Sequence, residues 1–342
     1  MIDLKQAAGP YRLAVTGDQV RPDGASIFGD IGLDRLAEHN IEWEVVPVGD
    51  RSLKPGSLVG FDALLMMGGA ALTRDDLIGT RLRHVARFGA GYDAIDVPAC
   101  TDAGVVVTNT PGALRVPMAH AALTMLFALA HNLVPKDRLV RSGRWDDRTD
   151  WHGRGLEGVS VGVVGLGSVG TETSRLVRAL GIDVVAYNRT PRPDVAEELG
   201  VTQLPLEVVA ERSDYLIVTV AGGTGTTNLI DGALLDRMRP GSFLINVSRG
   251  SVIDEEAVAM RLASRQLRGA ALDVFCEEPL PTAHAFATSE RTIVAPHSLG
   301  WTEAFAANVA SDCLQAIVDV AAGREPVNWV NQDAWSRRTS SR

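Results

Sequence analysis

Short apolar runs rich in β-branched residues alternate with helical stretches along nearly the whole chain. Arg12 to Val15, Trp43 to Val48, Ala63 to Met67, His84 to Phe88 and Val105 to Thr108 read as strands. Runs apolar on both faces fit a parallel sheet covered by helices rather than a half-solvated one. Asp34 to His39 lies in a helical stretch, and Thr73-Arg74-Asp75-Asp76 reads as a helix start with Thr73 as cap. Five strands with helices between them predict a small parallel α/β domain. From Val116 to Arg141 the pattern is one long Ala- and Leu-rich helix; Pro117 fits its first turn, and Pro135 predicts a kink or split. Its most apolar part, Ala119 to Val134, is short for a bilayer span and contains His120 and His131. The arm Arg144 to Arg154 carries Trp145 and Trp151 among charges and reads as a surface flap or a subunit interface.

The next stretch, Gly158 to Arg189, organises the rest. Val159 to Val164 predicts a buried strand, and Gly165-Leu166-Gly167-Ser168-Val169-Gly170 is a G-x-G-x-x-G. A helical pattern follows with Val169, Thr173, Leu176, Val177 and Leu180 on one face, ended by Gly181, and Asp183 to Tyr187 is a second strand. Strand, glycine turn, helix and strand in that order are the context a dinucleotide fingerprint needs. Gly165 permits the tight turn, Gly167 the approach of a pyrophosphate and Gly170 close helix–strand packing, with free N–H groups at the helix start. A helix-packing glycine loop without a ligand is the plainer alternative. The alternation continues through strands at Asp214–Val220, Ser242–Val247, Gly269–Phe275 and Thr292–Ala295, with helices at Asp231–Met238 and Asp254–Ser264. A last helix, Glu303 to Ala321, carries Phe305, Val309 and Ile317 toward burial in the first domain. The expected organisation is therefore a Rossmann-type doubly wound parallel sheet, residues 111–302, inserted into a second, flavodoxin-like α/β domain of residues 1–110 and 303–342. Ligands of such sheets sit at the carboxyl ends of the strands and in the cleft between domains.

Bulk properties narrow the function. The chain has 342 residues, a net charge of −9, 46% hydrophobic and 22% charged residues. The acidic balance, with a pI near 5.3, argues against nucleic-acid or anionic-membrane partners. Cys100, Cys276 and Cys313 are far apart, so neither a metal site nor a disulfide framework is expected. MIDLKQAAGP lacks the pattern of a signal peptide, which points to the cytoplasm, and the final SRRTSSR reads as a frayed tail.

Several polar residues follow predicted strands. Arg249 follows FLINV, Asp273 lies within ALDVF, Glu278 precedes Pro279, and His297 follows TIVAP. Singly, they have plain readings: a surface ion pair, a cap, a solvated acid, a turn histidine. Jointly, beside a dinucleotide site, they suit hydride transfer at a carbon bearing oxygen. Arg can fork onto a carboxylate, His can move the hydroxyl proton, and a neighbouring carboxylate fixes the His tautomer.

The chain resembles the D-isomer-specific 2-hydroxyacid dehydrogenase family over nearly its whole length. The stretches that carry this are RFGAGYDAID (87–96), VTNTPGA (107–113), GVVGLGSVG (162–170), LINVSRGSVIDEEAV (244–258), ALDVFCEEPLP (271–281) and APHSLGWTEA (295–304). The resemblance implies His297 as acid/base with Glu278 as its partner and Arg249 as the carboxylate and carbonyl clamp. It implies backbone N–H groups of Ala90 and Gly91 as a second carboxylate cradle and Asp273 on the nicotinamide carboxamide. It also implies cofactor contacts at Gly165, Leu166, Gly167, Ser168, Val169, Gly170, Asn188, Arg189, Thr190, Val220, Val247, Ser248 and His297, no metal, and a homodimer. Departures are Ala94 in place of the usual Asn, His120 in place of Glu, Ala221-Gly222-Gly223 in place of a Pro-Leu-Thr-like loop, and the large Leu299 and Trp301 after His297.

The end of the second fingerprint strand reads Tyr187-Asn188-Arg189-Thr190-Pro191-Arg192, with no acid for a ribose 2′-hydroxyl. Arg189 suits a 2′-phosphate, helped by Asn188, Thr190 or Arg192, and the segment is similar to that of NADPH-using glyoxylate/hydroxypyruvate reductases. NADP(H) is therefore the expected cofactor, with NAD(H) the alternative if Arg189 is simply solvated. The expected reaction is reduction of a small 2-keto acid. A 3-phosphoglycerate dehydrogenase-like enzyme and a dinucleotide-sensing corepressor of the C-terminal-binding-protein type are the rival readings.

Overall fold

The computed structural model describes residues 9–21 and 23–340, with side chains to 336. The chain forms two compact units, one of residues 1–114 and 302–342 and one of residues 115–301.

In the first unit β1 (Tyr11–Thr16), β2 (Ile41–Val46), β3 (Ala63–Met66), β4 (His84–Arg87) and β5 (Val106–Thr108) form one sheet in the order β2-β1-β3-β4-β5. All neighbours run parallel. Their runs are apolar on both faces because both faces are covered. One face packs Leu13, Val15, Leu65 and Ala86 against Phe305, Val309 and Ile317 of the Glu303–Ala321 helix. The other packs Leu64, Met66, Val85 and Val107 against Leu72, Ile95 and Cys100.

In the second unit β6 (Ser160–Val164), β7 (Asp183–Tyr187), β8 (Thr202–Gln203), β9 (Tyr215–Val218), β10 (Ser242–Asn246), β11 (Leu267–Leu272) and β12 (Thr292–Val294) form a seven-stranded parallel sheet in the order β8-β7-β6-β9-β10-β11-β12. The order reverses between β6 and β9, which makes this a doubly wound sheet with its switch point beside the fingerprint. One face packs on the helices Leu206–Arg212, Gly232–Arg237 and Glu255–Ala263. The other packs on Ala122, Met125, Leu126 and Leu129 of a long helix, around Tyr215 and Phe243 stacked at 4.6 Å.

Several expectations need correction. The long helix is two, Pro111–Ala130 and Leu133–Arg141, broken at Asn132, whose φ is +51°. Pro135 sits in the first turn of the second helix, where its missing N–H costs nothing, and Pro117 lies inside the first helix rather than at its start. At 20 residues that first helix reaches membrane-spanning length, with over half of its apolar window buried in the protein. Thr73 caps no α-helix. Its N–H and hydroxyl both donate to Asp76, and only a 3-10 turn, Asp75–Leu77, follows. Leu180 lies past the end of the Ser168–Ala179 helix and is half exposed. The strand expected at Gly269–Phe275 stops at Leu272, where its pairing to Val294 ends, so Asp273 lies just beyond the carboxyl end. Of the tail, Ser336 to Ser340 belong to the helix Gln332–Ser340, while residues 341 and 342, like residues 1–8 of the amino-terminal segment, lie outside the described residues.

Candidate active site

The fingerprint loop is built by close packing. Gly165 adopts φ +105° and donates its N–H to the Tyr187 carbonyl at 2.7 Å, which ties the ends of β6 and β7 together. A Cβ at position 170 would run into the Gly165 carbonyl oxygen. The Ser168–Ala179 helix begins there with Gly167 as its cap residue and no side chain capping it. Its first N–H groups are thus available to an anion, and a Cβ at 167 would meet nothing within 4 Å. A dinucleotide pyrophosphate fits this donor set. Leu166 and Val220 line the same turn: Leu166 is fully buried, and Val220 Cγ1 lies 2.9 Å from where a Gly165 Cβ would be.

Beside it, Asn188 turns inward: its Oδ1 accepts the Leu166 N–H at 2.9 Å and its Nδ2 donates to the Thr190 carbonyl at 2.7 Å. Arg192 donates Nη1 to the Leu166 carbonyl at 2.7 Å. The end of β7 therefore carries a guanidinium and an amide where a carboxylate would repel a 2′-phosphate. Arg189 extends its Nη1 to 3.0 Å from where a Cβ on Gly225 would sit.

Beyond β10, the buried Asn246 folds the turn Val247-Ser248-Arg249. Its Oδ1 accepts from the Ser248 N–H at 3.0 Å and hydroxyl at 2.8 Å, and its Nδ2 donates to the Arg249 carbonyl at 2.9 Å. Arg249 donates Nη1 to the Ser248 carbonyl at 2.7 Å. Beyond β12, His297 has φ +53°, a conformation that costs a histidine about 1–3 kcal/mol. Its benefit is visible in the next two residues. The Ser298 and Leu299 N–H groups both donate to Asp273 Oδ1, at 3.1 and 3.2 Å. Asp273 is buried, which pushes its carboxyl up from the ordinary value against the pull of those two N–H groups. Asp273 thereby holds the turn that presents the His297 ring. Glu278 faces that ring, its two oxygens 3.1 and 3.0 Å from Nδ1, and its Oε1 also accepts the Phe275 N–H at 3.0 Å. A carboxylate facing Nδ1 favours the tautomer with its proton there, which leaves Nε2 to act. Glu255 steadies the same loop by accepting the Cys276 N–H at 2.9 Å.

In the first unit, the loop after β4 presents main-chain donors. The Gly89 carbonyl accepts the Thr110 N–H at 3.0 Å, and the Ala90 carbonyl accepts Asn109 Nδ2 at 2.7 Å. In a trans peptide the N–H points opposite to the carbonyl. The N–H groups of Ala90 and Gly91 therefore turn away from their supports, and neither finds an acceptor among the described residues. Arg87 braces the loop from below. Its Nε donates to the Gly91 carbonyl at 2.9 Å, and its Nη1 to Met66, Met67 and Phe88 carbonyls at 2.9–3.1 Å.

Of the expected residues, the structure pairs Glu278 with His297 and ties Asp273 to the two residues that follow His297. Arg249, Val247 and Ser248 sit on the turn two strands away. Sequence reasoning missed Arg87, Asn109 and Asn246. The one available signal was a polar residue at the end of each apolar strand.

Known proteins resemble this chain in sequence and in fold. Residues 123–298 match the family model described as D-isomer specific 2-hydroxyacid dehydrogenase, NAD binding domain. The glyoxylate reductase of Thermococcus onnurineus is 31% identical over 316 residues, covering 90% of this chain and 94% of that protein. The D-3-phosphoglycerate dehydrogenase of Synechocystis is 34% identical over 272 residues, but this chain spans only 49% of its length. A solved NADPH-dependent glyoxylate/hydroxypyruvate reductase of Sinorhizobium meliloti, in complex with NADP and malonate, superposes with a TM-score of 0.81 at 29% identity, covering 96% of this chain and 98% of that one.

Proposed function

This chain belongs to the D-isomer-specific 2-hydroxyacid dehydrogenase family of NAD(P)-dependent oxidoreductases, and from that premise we propose that it reduces a small 2-keto acid, glyoxylate or hydroxypyruvate first, to the D-2-hydroxy acid with NADPH. The observation that carries the proposal is the His297–Glu278 pair held on the Asp273 turn. A bound nicotinamide dinucleotide supplies the hydride to C2 of the keto acid. The residues of the chain do the rest. His297, with Nδ1–H held by Glu278, donates a proton from Nε2 to the former carbonyl oxygen. Arg249 binds the substrate carboxylate and polarises the carbonyl, and the outward N–H groups of Ala90 and Gly91 donate to the same carboxylate.

The cofactor is proposed to rest its pyrophosphate on the Gly167–Gly170 helix start. Asn188, Arg189 and Thr190 are assigned to its 2′-phosphate end, and Val220, Val247, Ser248 and Asp273 to the nicotinamide side. The absence of an acid after β7 supports NADP(H) over NAD(H). A cytoplasmic homodimer belongs to the proposal, supported by Leu133, Val140 and Trp145 left more than half exposed.

A 3-phosphoglycerate dehydrogenase-like activity is the second reading, favoured by the Synechocystis relative. It needs cations for a phosphate, and one such cation, Arg74, is already paired to Asp102 at 2.8 Å. The test is NADPH and NADH oxidation by the purified protein with glyoxylate, hydroxypyruvate, pyruvate and phosphohydroxypyruvate. Fastest turnover with NADPH and a small unphosphorylated acid is expected. Preference for phosphohydroxypyruvate would reverse the ranking, and silence across the panel with NADPH still bound would favour the sensing protein.

A further inference from the structure

The loop Ala221–Thr226, AGGTGT, contains three glycines, yet it is not loose. The Thr226 hydroxyl donates to the Ala221 and Gly223 carbonyls at 2.8 and 3.1 Å, and the Thr226 N–H donates to the Gly223 carbonyl at 3.0 Å. The following Asn228 N–H donates to the Ser251 carbonyl at 2.8 Å, which fastens the loop beside the Arg249 turn. Backbone strain does not explain Gly222 either, since its φ lies outside the left-handed region.

Space explains it. A Cβ at position 222 would sit 2.6 Å from Arg249 Cγ, 3.4 Å from its Cβ and 3.6 Å from its Cδ. Contact at 2.6 Å is far inside van der Waals distance, and it falls at the root of the side chain, so the guanidinium cannot simply swing its tip aside. The stem of Arg249 lies directly on the main chain of Gly222. Gly225 differs: a Cβ there would be 3.0 Å from Nη1 of Arg189, the far end of a flexible side chain.

We propose that Gly222 is the positioning residue for Arg249: by withholding a side chain it fixes the path of the arginine stem and so aims the guanidinium at the substrate carboxylate. This rests on Arg249 being the carboxylate clamp. Gly222 touches no reacting atom, so its effect reaches the substrate only through Arg249. Any side chain at 222 must reroute Arg249 or move the loop, and the first consequence is weaker grip on the keto acid rather than a slower proton or hydride step.

The test is steady-state kinetics with glyoxylate and NADPH, paired with fluorescence titration of NADPH binding, on full-length Gly222→Ala, Gly225→Ala, Arg249→Ala and the Gly222→Ala/Arg249→Ala double variant. Gly222→Ala should raise the glyoxylate KM about 10- to 100-fold, as loss of one charge-assisted contact does, and leave NADPH binding within about twofold. Gly225→Ala should leave the glyoxylate KM within about twofold, because a flexible tip yields. In the double variant, Gly222→Ala should add nothing to the loss already caused by Arg249→Ala. Unchanged KM in Gly222→Ala overturns the inference, as does an equal rise in Gly225→Ala or in NADPH Kd, which would mean general damage to the loop. A normal glyoxylate KM in Arg249→Ala, with turnover intact, instead removes the clamp reading beneath it.

Discussion

The carboxyl edges of the two sheets are equipped differently. The seven-stranded edge carries groups that ionise or carry charge: Arg249 after β10, Asp273 after β11, and Glu278 and His297 around β12. The five-stranded edge offers main-chain N–H groups, aimed by side chains that stay behind them. A proton donor needs a group whose charge can change during the reaction. A carboxylate cradle needs only donors fixed in place. The comparison teaches that damage should separate kinetically: loss of the proton-handling Glu278 or His297 on the first edge should lower kcat, whereas loss of the main-chain cradle on the second, like loss of the Arg249 clamp, should raise KM.

The largest effect expected from a neighbour of the histidine comes from Glu278→Gln. Glutamine can present its NH2 to Nδ1 and so select the wrong tautomer; kcat should fall by about 100-fold or more with KM little changed. Stopped-flow or steady-state rates at saturating glyoxylate read this directly. Next comes Arg87→Met. It removes one donor from each of four carbonyls and lets the Gly89–Gly91 loop relax. A loss of about 1–3 kcal/mol in substrate grip, or about 5- to 150-fold in KM, is expected at nearly constant kcat. A collapse of kcat in Arg87→Met would break the comparison.

Two changes within the seven-stranded unit but away from its edge sharpen it, since they should touch stability and not kinetics. Asp231 accepts the Leu234 N–H at 2.8 Å as the cap of the Gly232–Arg237 helix. Asp231→Ala should cost about 1 kcal/mol, or about 2–4 °C in melting temperature, with kcat and KM intact. The smallest effect concerns Glu172, whose carboxyl is held below its ordinary value by the hydrogen bond and charge of Arg175. A lowered folded value means the stabilisation is complete above the unfolded glutamate value of about 4.3 and fades as pH drops through the folded one. Melting curves of Glu172→Gln and the parent should therefore differ at pH 7 and converge in acid.

How much of this was legible depends on whether a feature is local. The fingerprint reads directly because three glycines, a strand and a helix lie within one continuous segment. Arg249, Glu278 and His297 stand at strand ends, so their positions are readable, but their mutual geometry is not. The +53° φ of His297 and its release of two N–H groups to Asp273 arise only when β11 and β12 pair. Arg87 was invisible because the partners it braces are main-chain carbonyls, which carry no sequence signal, two of them 20 and 21 residues away. The short helices Val97–Asp102, Pro193–Leu199 and Leu206–Arg212 are two turns or less, too few to show a period. The break at Asn132 was misassigned to Pro135 because proline is the conspicuous residue, whereas asparagine is the one that takes the left-handed conformation.

The central claim is that His297 moves the proton. The measurement that tests it most directly is kcat for glyoxylate reduction by His297→Ala at saturating NADPH, with NADPH binding followed by fluorescence on the same preparation. The expected result is a fall of about 10²- to 10⁴-fold with NADPH binding retained. A kcat within about threefold of the parent, at equal NADPH occupancy, would contradict the account.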